Sequence, residues 1–163
     1  LLMKIYLLTT LLMASLSTMA QNGKAVTEKK TFSRTTTITD IITADDSTIW
    51  SLLTNAVGYP NWSYTVISIE GEIEVGQKIK LKSTLAPDRT FKLKVKEMVP
   101  NHRLVWGDGM GERTYTLEQV GEGTRFTMTE KIGGLMFPLF AGKIPAFDAS
   151  FEQFLGDLKM EAD

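Results

Sequence analysis

The stretch ERTYTLEQVGEGTRFTMTEKI, residues 112–132, decides how the chain folds. Its first half alternates Arg113, Tyr115 and Leu117 against Thr114, Thr116 and Glu118. Its second half sets Phe126, Met128 and Glu130 on one side and Thr127 and Thr129 on the other. Successive side chains of a strand point to opposite faces, so period-two alternation reads as β-structure. Gly121-Glu122-Gly123 supplies a turn between the halves. The stretch is therefore an antiparallel hairpin with one apolar and one wet face. Arg113 and Glu130 interrupt the apolar face, and the hairpin brings them to the same end. A charge aimed into apolar space needs a partner. The spacing thus predicts an Arg113–Glu130 ion pair.

Upstream, the same alternation recurs. Residues 77–85 set Ile79 and Leu81 against Lys78, Lys80 and Lys82; residues 90–99 set Phe91, Leu93 and Val95 against Lys92, Lys94 and Lys96. The lysines form an outward basic stripe that reads as a solvated face guarding the strands. Ala86-Pro87-Asp88-Arg89 and Pro100-Asn101 read as turns. His102 to Gly107 forms a strand with Leu104 and Trp106, and His102 lies at a solvated sheet end. Earlier still, the Thr-rich segment 32–43 reads as a strand. Asp45-Asp46-Ser47 then caps a short helix carrying Ile49, Trp50, Leu52 and Leu53. Gly58-Tyr59-Pro60 stops that helix, and Asn61-Trp62 leads into a strand through Ile69.

Downstream, Gly133-Gly134 ends the last strand. Phe137, Phe140, Ile144, Phe147, Phe151, Phe154, Leu155 and Leu158 then fall on one side of a 3.6-residue repeat. Pro145 predicts either a kink or a helix that becomes regular only after it. The architecture is α+β: a curved antiparallel sheet wrapped around a long C-terminal helix. One helix cannot fill a wide concave sheet, so a cavity between them is expected.

Composition narrows the function. A net charge of -1 argues against a nucleic-acid partner held by a broad basic face. With no cysteine and one histidine, His102, the chain offers no thiolate metal site, thiol nucleophile, multi-histidine centre or lipoprotein anchor. Dinucleotide, Walker-type, zinc-protease and nucleophile-elbow motifs are missing. No metal and no cofactor is implied. Met3 reads as the start and Lys4 as a short positive region. An apolar run to Met19 follows, then small residues around Ala20. That is the layout of a secretory signal peptide over 1–20, too short for the ~20 residues of a spanning helix. It implies an exported, periplasmic or secreted protein with no stable membrane anchor after cleavage. Residues 21–31 are polar and read as a flexible lead-in to a domain over 32–163.

Several short segments together resemble the START-like, or SRPBCC, superfamily, which includes polyketide cyclase/dehydrase and lipid-transport proteins. They are Ile49 to Thr54, Tyr59-Pro60-Asn61-Trp62, Glu70-Gly71 and Val75 to Ile79. Arg103-Leu104-Val105-Trp106, Tyr115 to Glu118, Gly123 to Phe126 and Glu130 to Gly134 complete the set. The resemblance implies a helix-grip fold whose cavity takes apolar or aromatic small molecules or lipids. Relatives often carry His where this chain has Arg113, so a mechanism using that His does not transfer.

The candidate ligand-binding residues are those whose alternation or helical phase points between sheet and helix. From the sheet these are Trp106, Arg113, Tyr115, Leu117, Phe126, Met128 and Glu130; from the C-terminal segment, Met136, Phe137, Phe140, Phe147 and Phe151. Three readings stay open. The first is an exported carrier of a hydrophobic small molecule or lipid. The second is a cyclase, dehydratase or isomerase with Glu130 as acid/base and Arg113 or Tyr115 orienting substrate. The third is an envelope protein-interaction module. Oligomeric state does not follow from the sequence.

Overall fold

The computed structural model describes residues 22–163. The leader read over 1–20 lies outside them. Eight antiparallel strands form one sheet: β1 (Val26–Lys30), β2 (Ser33–Ile42), β3 (Val66–Glu70), β4 (Lys78–Ser83), β5 (Ala86–Val99), β6 (Arg103–Gly107), β7 (Gly111–Val120) and β8 (Gly123–Gly133). Their spatial order is β1-β2-β8-β7-β6-β5-β4-β3, so the sheet is open, with β1 and β3 at its edges. Register shifts in β3, β4 and β5 bend it, as bulges do. Helices α1 (Asp46–Thr54) and α2 (Tyr59–Trp62) carry the chain from β2 to β3; α3 (Phe137–Phe140) and α4 (Asp148–Ala162) follow β8. The α+β expectation holds.

Each element follows from its residues. Asp45 Oδ1 accepts from the Thr48 amide at 2.7 Å and caps α1, which buries Ile49 and Leu53. Gly134, at φ 134°, turns the chain out of β8 in a conformation other residues avoid. Helix α4 buries Phe151, Phe154, Leu155 and Leu158, one stripe at helical spacing. Its ends are tied to the sheet. Thr27 Oγ1 donates to Asp148 Oδ1 at 2.7 Å, and Lys159 Nζ donates to Asp40 Oδ2 at 2.6 Å. Beneath α4 the core is aromatic: the Phe154 ring lies 5.3 Å from Trp62, 5.9 Å from Tyr115 and 6.4 Å from Phe126.

Three local expectations are corrected. Val26–Lys30 is not a loose lead-in but a strand, paired with β2 from Val26↔Thr37 to Lys30↔Ser33. Its residues are mostly solvent-facing, so no apolar alternation announces it. Gly58-Tyr59-Pro60 does not end the helical region. Pro60 sits in the first turn of α2, where its missing N–H is no loss, and Asn61-Trp62 is helical. Ala86-Pro87-Asp88-Arg89 is strand rather than turn: the reversal is at Thr84 and Leu85, and Ala86 pairs with Ser83. β6 joins β5 only from Lys94 onward, so Pro87 has no neighbour on that side to supply with a hydrogen bond. At the C-terminus the second of the two expectations holds, a helix that becomes regular only after Pro145. After α3, the 3₁₀ turn 141–143 leads into an irregular stretch through Pro145, and α4 is regular from Asp148.

Candidate ligand-binding cavity

The registers of β2, β8, β7, β6 and β5 align one row of inward residues: Thr36, Glu130, Arg113, Trp106 and Val95. Arg113 Nε donates to Glu130 Oε2 at 2.7 Å, the ion pair expected from the hairpin. Burial opposes the charge on Arg113, but the Glu130 carboxylate and the Tyr115 phenol outweigh it. The guanidinium therefore holds its proton more firmly than a free one. Burial likewise raises the Tyr115 phenol, with Arg113 pulling the other way.

A second contact set reaches from the sheet to the covering segment. The Arg113 guanidinium lies 5.0 Å from the centre of the Phe151 ring. Phe151 stacks on Phe147, centroids 6.1 Å apart and planes 3° from parallel. Arg34, on β2, lies 4.8 Å from the centre of the Phe147 ring. Two phenylalanines spaced four residues apart are thus held between two arginines. Arg34 also donates to the Ile144 carbonyl at 3.2 Å and the Pro145 carbonyl at 2.6 Å. It is 8% exposed, and backbone carbonyls rather than a carboxylate receive its charge. An Arg34→Met protein is expected to lose about 2 kcal/mol, the scale of hydrogen bonds from a charged group. Amides of residues 141–147 should exchange with deuterium faster, while those in the middle of α4 stay protected. Unchanged exchange over 141–147 would show that Arg34 holds nothing in place.

Between this covering stretch and the sheet lies a cavity of about 570 Å³. Its apolar wall comes from Val66 and Leu81 of β3 and β4, Phe91 and Leu93 of β5, Trp106, Ile132, Ile144 and Phe147. Arg113 and Glu130 form its charged floor, with the hydroxyls of Thr65, Ser83 and Ser150 on the wall. Arg89, Asp108 and Lys143 also line it.

Of the residues expected to line a cavity, the structure places Trp106, Arg113, Glu130 and Phe147 there. Tyr115, Leu117, Phe126, Met128 and Phe151 point inward as the alternation requires, yet they pack into the closed core under α4. The sheet and helix touch at that end, leaving no space between them. Phe137 is buried against Phe140, ring centroids 5.7 Å apart, away from the cavity. Met136 is 63% exposed, because the chain leaves Gly134 in a turn instead of a long helix. The sequence reading missed Arg89, Phe91 and Leu93 on the β5 arm, and Lys143 and Ile144 opposite. The alternation of Phe91 and Leu93 was visible. Arg89 was hidden by the apparent turn at Pro87.

Residues 43–161 match the family model described as Activator of Hsp90 ATPase homolog 1-like protein. The chain belongs to that family. Solved structures share the fold. A START superfamily protein from Mycobacterium smegmatis is 15% identical, with a TM-score of 0.57 over 78% of this chain and 96% of that one. The Aha1 dimer from Colwellia psychrerythraea is 23% identical, with a TM-score of 0.59 over 77% and 93%. CalU16 from Micromonospora echinospora is 17% identical, with a TM-score of 0.58 over 86% and 85%. No curated protein matches. In this Activator of Hsp90 ATPase homolog 1-like chain, the matched residues hold the ion pair and the cavity wall, but not Arg34, which lies ahead of them on β2. Among the described residues, no helix is long and apolar enough to cross a membrane.

Proposed function

We propose that this chain binds an apolar or aromatic small molecule, or a single-chain lipid, between its sheet and its covering segment, without transforming it. One observation carries the reading: a cavity of about 570 Å³ whose wall is largely apolar and whose two inner charges, Arg113 and Glu130, already pair at 2.7 Å. That volume falls in the range of about 300–1,000 Å³ typical of small-molecule pockets. The enzyme reading needs a carboxylate free to exchange a proton. A carboxylate held by an arginine, with both charges satisfied, favours binding over acid/base work. The leader-like layout through Ala20 supports an exported carrier, periplasmic or secreted.

The test is native mass spectrometry, with solvent extraction, of protein purified from its own host. The expected result is a copurifying hydrophobic compound released by the solvent. A clean apo spectrum, with no thermal shift across a library of lipids and aromatic compounds, would remove the carrier reading.

A further inference from the structure

We infer that the ligand carries one anionic head, which Arg89 and Lys143 receive. The inference rests on the binding role proposed above and adds the ligand's charge.

Five ionisable residues line the cavity: Arg89, Arg113 and Lys143 against Asp108 and Glu130. Both carboxylates are occupied. Glu130 holds Arg113, and Asp108 Oδ1 accepts from the Met110 and Gly111 amides, each at 2.8 Å. Arg89 and Lys143 make no ion pair and no side-chain hydrogen bond among the described residues. Unpaired lysines also stand on the outer face of the sheet, Lys78, Lys82, Lys92 and Lys94 among them, but Arg89 and Lys143 are the two that line the cavity. In a chain of net charge -1, the cavity is left with one positive charge in excess.

The two cations come from different elements of the wall. Arg89 stands on the arm of β5 that β6 does not cover, and Lys143 on the 3₁₀ turn before Pro145. Arg89 is not loose: its guanidinium lies 4.8 Å from the centre of the Phe91 ring, itself part of the wall. Stacking holds the plane of the guanidinium and leaves its N–H edge free, the arrangement that suits a carboxylate, sulfonate or phosphate oxygen pair. An apolar body against Phe91, Leu93 and Trp106 with an anion between Arg89 and Lys143 would satisfy both the wall and the excess charge.

The test compares two probes that share one ring system: 1-anilinonaphthalene-8-sulfonate and the uncharged N-phenyl-1-naphthylamine. Each is titrated by fluorescence into the wild-type chain, an R89Q/K143Q variant and a K92Q/K94Q variant. The last removes two exposed cations from the outer face of the same sheet. Arg89 and Lys143 are exposed, so their replacement leaves the fold intact, checked by melting temperature. The expected result is a loss of about tenfold or more in sulfonate affinity for R89Q/K143Q. The uncharged probe should be unchanged, and both probes unchanged for K92Q/K94Q. Equal effects on both probes, no effect on either, or an equal loss of sulfonate binding in K92Q/K94Q would overturn the anionic-head inference while leaving the cavity reading in place. If the wild-type chain bound neither probe, the cavity reading itself would fall, and this inference with it.

Discussion

Replacing Arg113 alone with Met is expected to cost about 3 kcal/mol, whereas replacing Arg113 and Glu130 together with Met should cost far less. The asymmetry comes from what each change leaves behind. Removing one partner of a largely buried pair strands the other charge where water reaches it poorly, a loss of about 3–5 kcal/mol. The side chains here are 21% and 16% exposed, toward the lower end of that regime. Removing both charges leaves apolar side chains of similar volume against Trp106 and Phe151, often a neutral or even stabilising exchange. Urea unfolding of wild type, both single variants and the double variant closes a double-mutant cycle. A coupling energy near zero, with the two single losses simply adding, would mean that the pair is solvated and does not shape the cavity floor. The same cycle bears on function. If the pair serves to neutralise the floor, the double variant should still bind N-phenyl-1-naphthylamine.

The second large effect concerns the part of the interior that is filled. Phe154→Ala is expected to cost about 3–5 kcal/mol, as truncation of a buried phenylalanine does. That should lower the melting temperature by about 10 °C or more. Phe154 is 1% exposed and sits at the junction of Trp62, Tyr115 and Phe126. Phe147→Ala is expected to cost about 1–2 kcal/mol, because one side of that ring faces the cavity rather than packed neighbours. Thermal unfolding of the two variants, followed by circular dichroism, makes the comparison. Equal losses would show that the Phe147 site is packed as tightly as the core, leaving no room for a ligand beside it.

These two phenylalanines mark the limit of what was legible in the residues. Alternation along β7 and β8 reveals which side chains point inward, and it placed Arg113 opposite Glu130 correctly. Direction alone does not reveal whether sheet and helix touch. They touch over Tyr115, Phe126 and Phe154, and beside Trp106 and Glu130 a cavity opens, bridged at the start of α4 by Arg113 against Phe151. The separation depends on where the covering segment stops being helical. Pro145 pointed to that break, but the carbonyls of Ile144 and Pro145 bond to Arg34, which lies more than a hundred residues earlier. No local pattern connects the two. The β5 arm was hidden for a different reason. Pro87-Asp88 is good turn chemistry, and only the lack of a β6 neighbour lets it remain strand. Strand β1 escaped notice because an edge strand with few buried side chains has no apolar period to read.

That open sheet has two borders where another chain could add a strand and begin a polymer. Each carries its own deterrent. Along β1 the five residues include Glu28, Lys29 and Lys30, so an incoming strand meets charge over more than half its length. β3 is equally short and loses its regular register between Val66 and Ser68, which spoils it as a template. A protein whose sheet stays open at both edges must still refuse copies of itself. Here the refusal is built into the margins of the sheet, and on β3 it lies beside the cavity, where Val66 both lines the wall and marks the lost register.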